Sequence, residues 1–299
     1  MQTLQKFIFF SKLYIYEFYK NIMKIQNSNI NFQAGLTRSM RQEIEHTDIA
    51  KVAEYFRKNN IEADFKNNKT IAWSSLKVFD IIQTINTLFN LKLGLPKQIL
   101  VEDFNNLKLS QKYAFGILNF APTKLYENQD IVVPEKTVIF NEFRDYNYSS
   151  GNKIWDKIDD IGDFGYEHKM SSTDFFLETI FHEFAHAIHE ENLINTLGGN
   201  KLIELLEKTL TPDFISKFQE KYKNQFSNIC EYANSNWIET VACDLSRRVM
   251  ASLDKEKFIP KFDFIKNSPY RKINFLQIFK ISSQDKELHK FWNGKFDIK

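Results

Sequence analysis

Cysteine is scarce: the 299 residues hold only Cys230 and Cys243. Two cysteines cannot build a disulfide framework, and no C-x2-C pair exists to seat a structural zinc. Such thin usage suits a reducing compartment. The expected location is therefore the cytoplasm, with secretion lacking a signal peptide as the open alternative. Excess charge of one sign is missing too. Forty Lys and Arg stand against 38 Asp and Glu, leaving +2, so no basic surplus exists to neutralise phosphates and no nucleic-acid partner is expected. Long hydrophobic runs are also absent. Residues 7–19 (FIFFSKLYIYEFY) are apolar and aromatic, but Lys12 and Glu17 interrupt them and they are too short to span a bilayer. They lack the uncharged core and small-residue cleavage site of a signal peptide. A packed amphipathic helix is the expectation, with Met23 as an alternative start of the chain. There is no internal repeat and no low-complexity linker.

What is present is the composition of an ordinary globular chain, 43% hydrophobic and 26% charged, long enough for one large core or two modest ones. The 29 Phe and 12 Tyr are read as core packing. Residues 1–45 are taken as an N-terminal extension, helical or partly disordered, and 46–299 as the main domain. Within it, 46–172 should form a sheet subdomain and 173–299 a helical one. Residues 47–59 have a capping Thr47 or Asp48 and helical spacing at Ile49, Val52, Ala53 and Phe56. Residues 61–72 read as a small hairpin around Asn67-Asn68. Residues 74–90 read as a helix, and 97–104, 113–120 and 136–143 as strands. The polar stretch 144–172 reads as a long loop, and helices are expected over 173–190, 200–209, 212–227 and 236–252. Strands and helices segregate along the chain, which argues for an α+β fold with a small mixed sheet and a helical C-terminal half.

The most informative segment is residues 171–190, SSTDFFLETIFHEFAHAIHE. Ser171 with Asp174 makes a capping box. Phe176, Ile180, Phe184 and Ile188 form one apolar stripe for the core. His182 and His186 are four apart, so both rings leave one side of the helix, spaced as zinc requires of two imidazole ligands. Glu183 is rotated by roughly 100° from His182. It sits poorly for ligation and well for taking a proton from water in an open coordination position. H-E-x-x-H on a helix is thus a mechanism as well as a pattern. Metzincins place a glycine three residues beyond the second histidine and a third histidine three further on. His189 and Asn192 stand there instead, and His189 is expected at the surface sooner than beside the metal.

A catalytic zinc takes three protein ligands and keeps one open position. Glu239, 53 residues beyond His186, is the leading third ligand, with Glu178 and Glu231 as fallbacks. Asn236 three residues before Glu239 also fits a helix cap. Tyr232-Ala233, Asn236, Glu239 and Ala242 resemble the Y-A-x-x-N-x-x-E-x-x-A segment of gluzincin-type zinc metallopeptidases, the group that includes the anthrax lethal factor-like peptidase domain. The resemblance covers roughly residues 130–250. It implies a zincin-like fold, one catalytic zinc on His182, His186 and Glu239, Glu183 as the base, and Tyr232 as a donor to the oxygen that gains charge. By the same analogy, the edge of the strand KTVIFNEF could pair with an extended substrate. Relatives often carry an acidic residue four positions beyond the ligand Glu. Here Cys243 stands there and Asp244 follows, so what orients the ligands departs from the pattern.

Two weaker features complete the reading. Asp156, Asp159, Asp160 and Asp163 crowd one loop without EF-hand spacing and are read as solvated. His289 is read as a surface histidine. The function expected is zinc-dependent hydrolysis of a protein or peptide substrate, as an endopeptidase. The alternative is a catalytically silent zinc-binding interaction module of a phage, toxin or effector system.

Overall fold

A computed structural model describes residues 38–104, 116–120, 122–124, 132–142, 176–227, 229–251, 253–254, 259–260 and 285–296. The expectations for residues 7–19, the capping pair Ser171 and Asp174, the loop 144–172 and its four aspartates fall outside them.

Helices α1 (Arg38–Glu45) and α2 (Ile49–Lys58) come first. Met40 and Ile44 of α1 and Val52 and Phe56 of α2 are buried in the main core. Asp48 caps α2, accepting from Lys51 N at 3.2 Å. The expected hairpin over 61–72 is not formed. Strand β1 (Glu62–Asp64) is followed by a turn and then by α3 (Lys69–Phe89). The reason is capping: Asn68 Oδ1 accepts from Ile71 N at 3.0 Å, so the Asn-Asn turn signal starts a helix instead of returning a strand.

Strands β2 (Gln98–Glu102), β3 (Gly116–Asn119), a short β4 (Thr123–Lys124) and β5 (Val132–Val133) pair, and β6 (Thr137–Asn141) follow. The main sheet has the order β1-β2-β6-β3. β1, β2 and β6 run parallel, and β3 joins β6 antiparallel. Alternation explains its two faces. Ile99, Val101, Val138 and Phe140 enter the main core, while Ile139 packs with Phe104 and Val133 on the other side. β6 is thus an interior strand, and the expectation that its edge is open to substrate is wrong. Among the described residues the terminal strand on that side is β3.

The helical half begins with α4 (Phe176–Leu197), then α5 (Gly199–Thr209), α6 (Pro212–Lys221), a 3-10 turn at Glu231–Asn234, α7 (Trp237–Ala251), a short pair β7 (Leu253–Asp254) and β8 (Ile259–Pro260), and α8 (Asp285–Trp292). α4 continues past residue 190, where Leu193 is also buried and carries the packing on. It stops at Gly198, whose φ of 83° only glycine adopts freely. α6 is shorter than expected. Thr211 caps it and Pro212 opens it, but turns replace helix after Lys221. α4 is buried nearly all round between Leu177 and Glu190, as befits a central helix. It packs on α7, α3, β3 and α8. The fold is therefore mixed, with a small four-stranded sheet and a helical C-terminal half. No helix among the described residues is long and apolar enough to cross a membrane.

Candidate metal centre

The packing of α4 against α7 brings the site together. Ile180, Phe184 and Ile188 take the stripe of α4 into the core, and the histidine side faces α7. On α7, Asn236 caps the helix, its Oδ1 accepting from Ile238 N at 2.9 Å and Glu239 N at 3.1 Å. Glu239 does not reach back to complete a capping box. Its Oε2 lies 3.0 Å from His182 Nε2 and 3.3 Å from His186 Nε2, and the two Nε2 atoms are 3.1 Å apart.

These three distances carry a coordination argument. A tetrahedral ion with bonds of ~2.0 Å to nitrogen and oxygen separates its ligand atoms by ~3.3 Å. The three ligand atoms already form a triangle of that size, so the residues present fit a divalent cation. Among the described residues they are the one group of three His, Cys, Asp or Glu that could do so. His182 and Glu239 keep side-chain exposures of 14% and 16%, so the group is not sealed from solvent.

The electrostatics match a cage built for positive charge. Burial opposes the charged form of His182, but the hydrogen bond and charge of Glu239 outweigh it and lift its pKa to about 9. Burial would raise Glu239, but the charge of His186 and the hydrogen bonds of both histidines hold its carboxyl far below the usual range. A cation entering the cage replaces protons there, so binding releases them.

Glu183 is buried where α4 meets β3. Burial raises its pKa, the two histidines oppose that, and Glu239 adds to it. An acceptor poised upward is what a proton-carrying base needs. Its neighbour is Gly116 of β3. A Cβ there would come within 2.6 Å of Glu183 Cγ and 2.9 Å of Cδ. Sequence reasoning missed Gly116, although a lone glycine inside the strand pattern YAFGILNF was a signal of close approach. From the end of β3, Phe120 stands edge-on to His186 with centroids 6.2 Å apart.

Tyr232 lies on the 3-10 turn, half-buried, its ring centroid 6.0 Å from that of His182. Thr240 ties this turn to α7, donating to Ala233 O at 2.6 Å and Asn236 O at 2.9 Å. The turn that carries Tyr232 and the helix that carries Glu239 are thereby linked.

The fallback ligands fall away: Glu231 is exposed, and Glu178, though buried, is not in the ligand group. His289 is exposed, as read. His189 is not at the surface. It is buried, stacked on Trp292 at 5.4 Å and edge-on to Trp237 at 5.4 Å. Its Nε2 meets Phe291 O at 3.1 Å. The aromatic C-terminal helix covers this face of α4, which the local pattern around His189 could not disclose. Asp244 forms a buried ion pair with Arg248, whose Nε donates to Oδ1 at 2.8 Å. Cys243, buried, has its Sγ 3.8 Å from His182 Nδ1. Burial pushes its thiol pKa well up, and Cys230 lies close enough to add to the effect. Both cysteines are free.

No family model, no curated protein and no solved structure matches the chain.

Proposed function

We propose that the protein is a zinc-dependent peptidase of the zincin type. His182, His186 and Glu239 hold one zinc ion, and Glu183 and Tyr232 serve the reaction. The observation that carries this reading is the ligand triangle, with a glutamate one residue after the first histidine. Two imidazoles and one carboxylate with an open position are a donor set suited to catalytic zinc. The likeness of residues 232–242 to the gluzincin segment supports it independently.

Zinc bound there would supply Lewis acidity and make a coordinated water acidic near neutral pH. Glu183 takes the proton of the attacking water and returns it to the leaving amine. Its raised pKa keeps the second transfer favourable. Tyr232 donates a hydrogen bond to the carbonyl oxygen as charge develops on it. β3 is the strand beside Glu183 and, among the described residues, is terminal in the sheet. Its outer edge is the place where an extended peptide adds as a further strand, with the scissile bond near residue 116. This takes the role first assigned to β6.

The test uses the full-length chain, reconstituted with zinc and incubated with a generic peptide library. Wild type should cleave, and Glu183→Gln should retain zinc while losing at least ~100-fold in rate, the lower range for a general base. A wild type that holds one zinc per chain and cleaves nothing would overturn the enzymatic reading and favour a silent metal-binding module.

A further inference from the structure

We infer that Cys243 is a positioning residue for the metal centre: its Sγ accepts the hydrogen bond of His182 Nδ1–H and holds the ring with Nε2 turned into the cage. This rests on the metal-centre reading above and goes beyond it, because it assigns the orientation of the first ligand to a thiol on the facing helix.

Three observations carry it. Sγ stands 3.8 Å from Nδ1, and sulfur hydrogen bonds are longer than those to oxygen. His182 Nε2 faces Glu239 and His186 at 3.0 and 3.1 Å, so Nδ1 is the nitrogen turned away from the cage towards α7. The acidic neighbour is occupied elsewhere, since Asp244 is paired with Arg248 at 2.7 to 2.8 Å. The direction of the bond follows from the chemistry. A thiol donating to Nδ1 would leave the ring proton on Nε2, where it would block a metal. A ligating ring carries its proton on Nδ1 and needs an acceptor there.

Topology strengthens the assignment. Glu239 and Cys243 are one turn apart on α7 and therefore share a face. One face of one helix supplies the third ligand and the support of the first. His186 has no such backing: its Nδ1 is buried without a hydrogen-bond partner among the described residues. His182 is thus the ring of the pair whose outward nitrogen has a partner. A neutral sulfur is a weaker acceptor than a carboxylate, so it anchors the ring without adding a second negative charge beside Glu239.

The experiment is zinc affinity by chelator competition on the full-length protein, with thermal melts to follow folding. Cys243→Val keeps the apolar bulk and removes the acceptor. Cys243→Ala removes the same acceptor by truncation, should valine crowd the helix. Cys243→Ser restores a polar acceptor. Affinity should fall ~10–100-fold in the valine and alanine variants, the usual cost of losing an outer partner of a ligand, and serine should recover most of it. Unchanged affinity in the valine and alanine variants would overturn the proposal. So would a serine variant as weak as valine, which would make Cys243 a packing residue. His182→Ala separates the two levels. If it binds zinc like wild type, the metal-centre reading fails and this inference with it. If it loses zinc while Cys243→Val does not, only the inference fails.

Discussion

Each residue of the cage is asked to do one job, and the jobs can be separated. Glu239 supplies the only carboxylate in the triangle, so Glu239→Ala should lower zinc affinity by more than the ~10–100-fold cost of an outer-partner loss. Chelator competition measures it, and an unchanged affinity would move the third ligand elsewhere. Gly116 is asked only to be small. Gly116→Ala puts a methyl 2.6 Å from Glu183 Cγ, so the carboxylate must shift. A displacement of ~1 Å at a reacting group costs up to ~100-fold. The rate on a cleaved peptide should therefore drop while zinc content stays at one per chain. Melts should show a modest loss of stability, since the overlap with the buried Glu183 side chain outweighs the entropy that alanine saves over glycine. A Gly116→Ala variant that keeps the proposed activity in full would mean that β3 does not confine Glu183. At this scale the motif residues were legible in the sequence because helix pitch alone puts His182 and His186 together. The contacts of Gly116 and Cys243 were not, because they join segments 60 or more residues apart.

At the scale of elements, α4 is gripped from two sides. α7 meets its histidine face, and α8 covers the next turn through His189 and Asn192, whose Nδ2 donates to Trp292 O at 2.6 Å. This grip has a pH signature. Burial pushes His189 down to about 3 from an ordinary 6.5. The sign is that of a histidine kept neutral. Below pH 6.5 the unfolded chain takes up a proton that the folded chain refuses, so stability falls as pH drops, by ~1.4 kcal/mol per unit, until about pH 3. At pH 5 the loss from this residue alone is ~2 kcal/mol. His189→Gln removes that titration. Its melting temperature should be lower at pH 7 but less dependent on pH between 6.5 and 4. A wild type and a variant with parallel pH profiles would show that His189 titrates freely. Helix and strand positions were largely readable from periodicity and caps. The exceptions were α8 and the short strands β4, β5, β7 and β8, which no pattern announced, and elements whose ends are set by other contacts: α4 runs on through the buried Leu193, and residues 61–72 yield to the cap at Asn68.

Across the whole molecule, one core joins the two halves. Phe56, Phe79, Val138, Phe184, Val241 and Phe291 all belong to it, so the sheet that carries Gly116 and the helices that carry the ligands are parts of one body. Segregation of strands and helices along the chain foretold the mixed class. It could not give the strand order, which places β6 inside and, among the described residues, β3 outermost, and so moves the proposed substrate edge to β3. The account stands or falls on whether this body holds a metal where the three side chains converge. The direct measurement is anomalous diffraction at the zinc edge from crystals grown with zinc. The account predicts one strong peak, ~2 Å from His182 Nε2, His186 Nε2 and a carboxylate oxygen of Glu239. A protein that binds no zinc, or a peak ligated by other residues with Glu239 turned away, would contradict it.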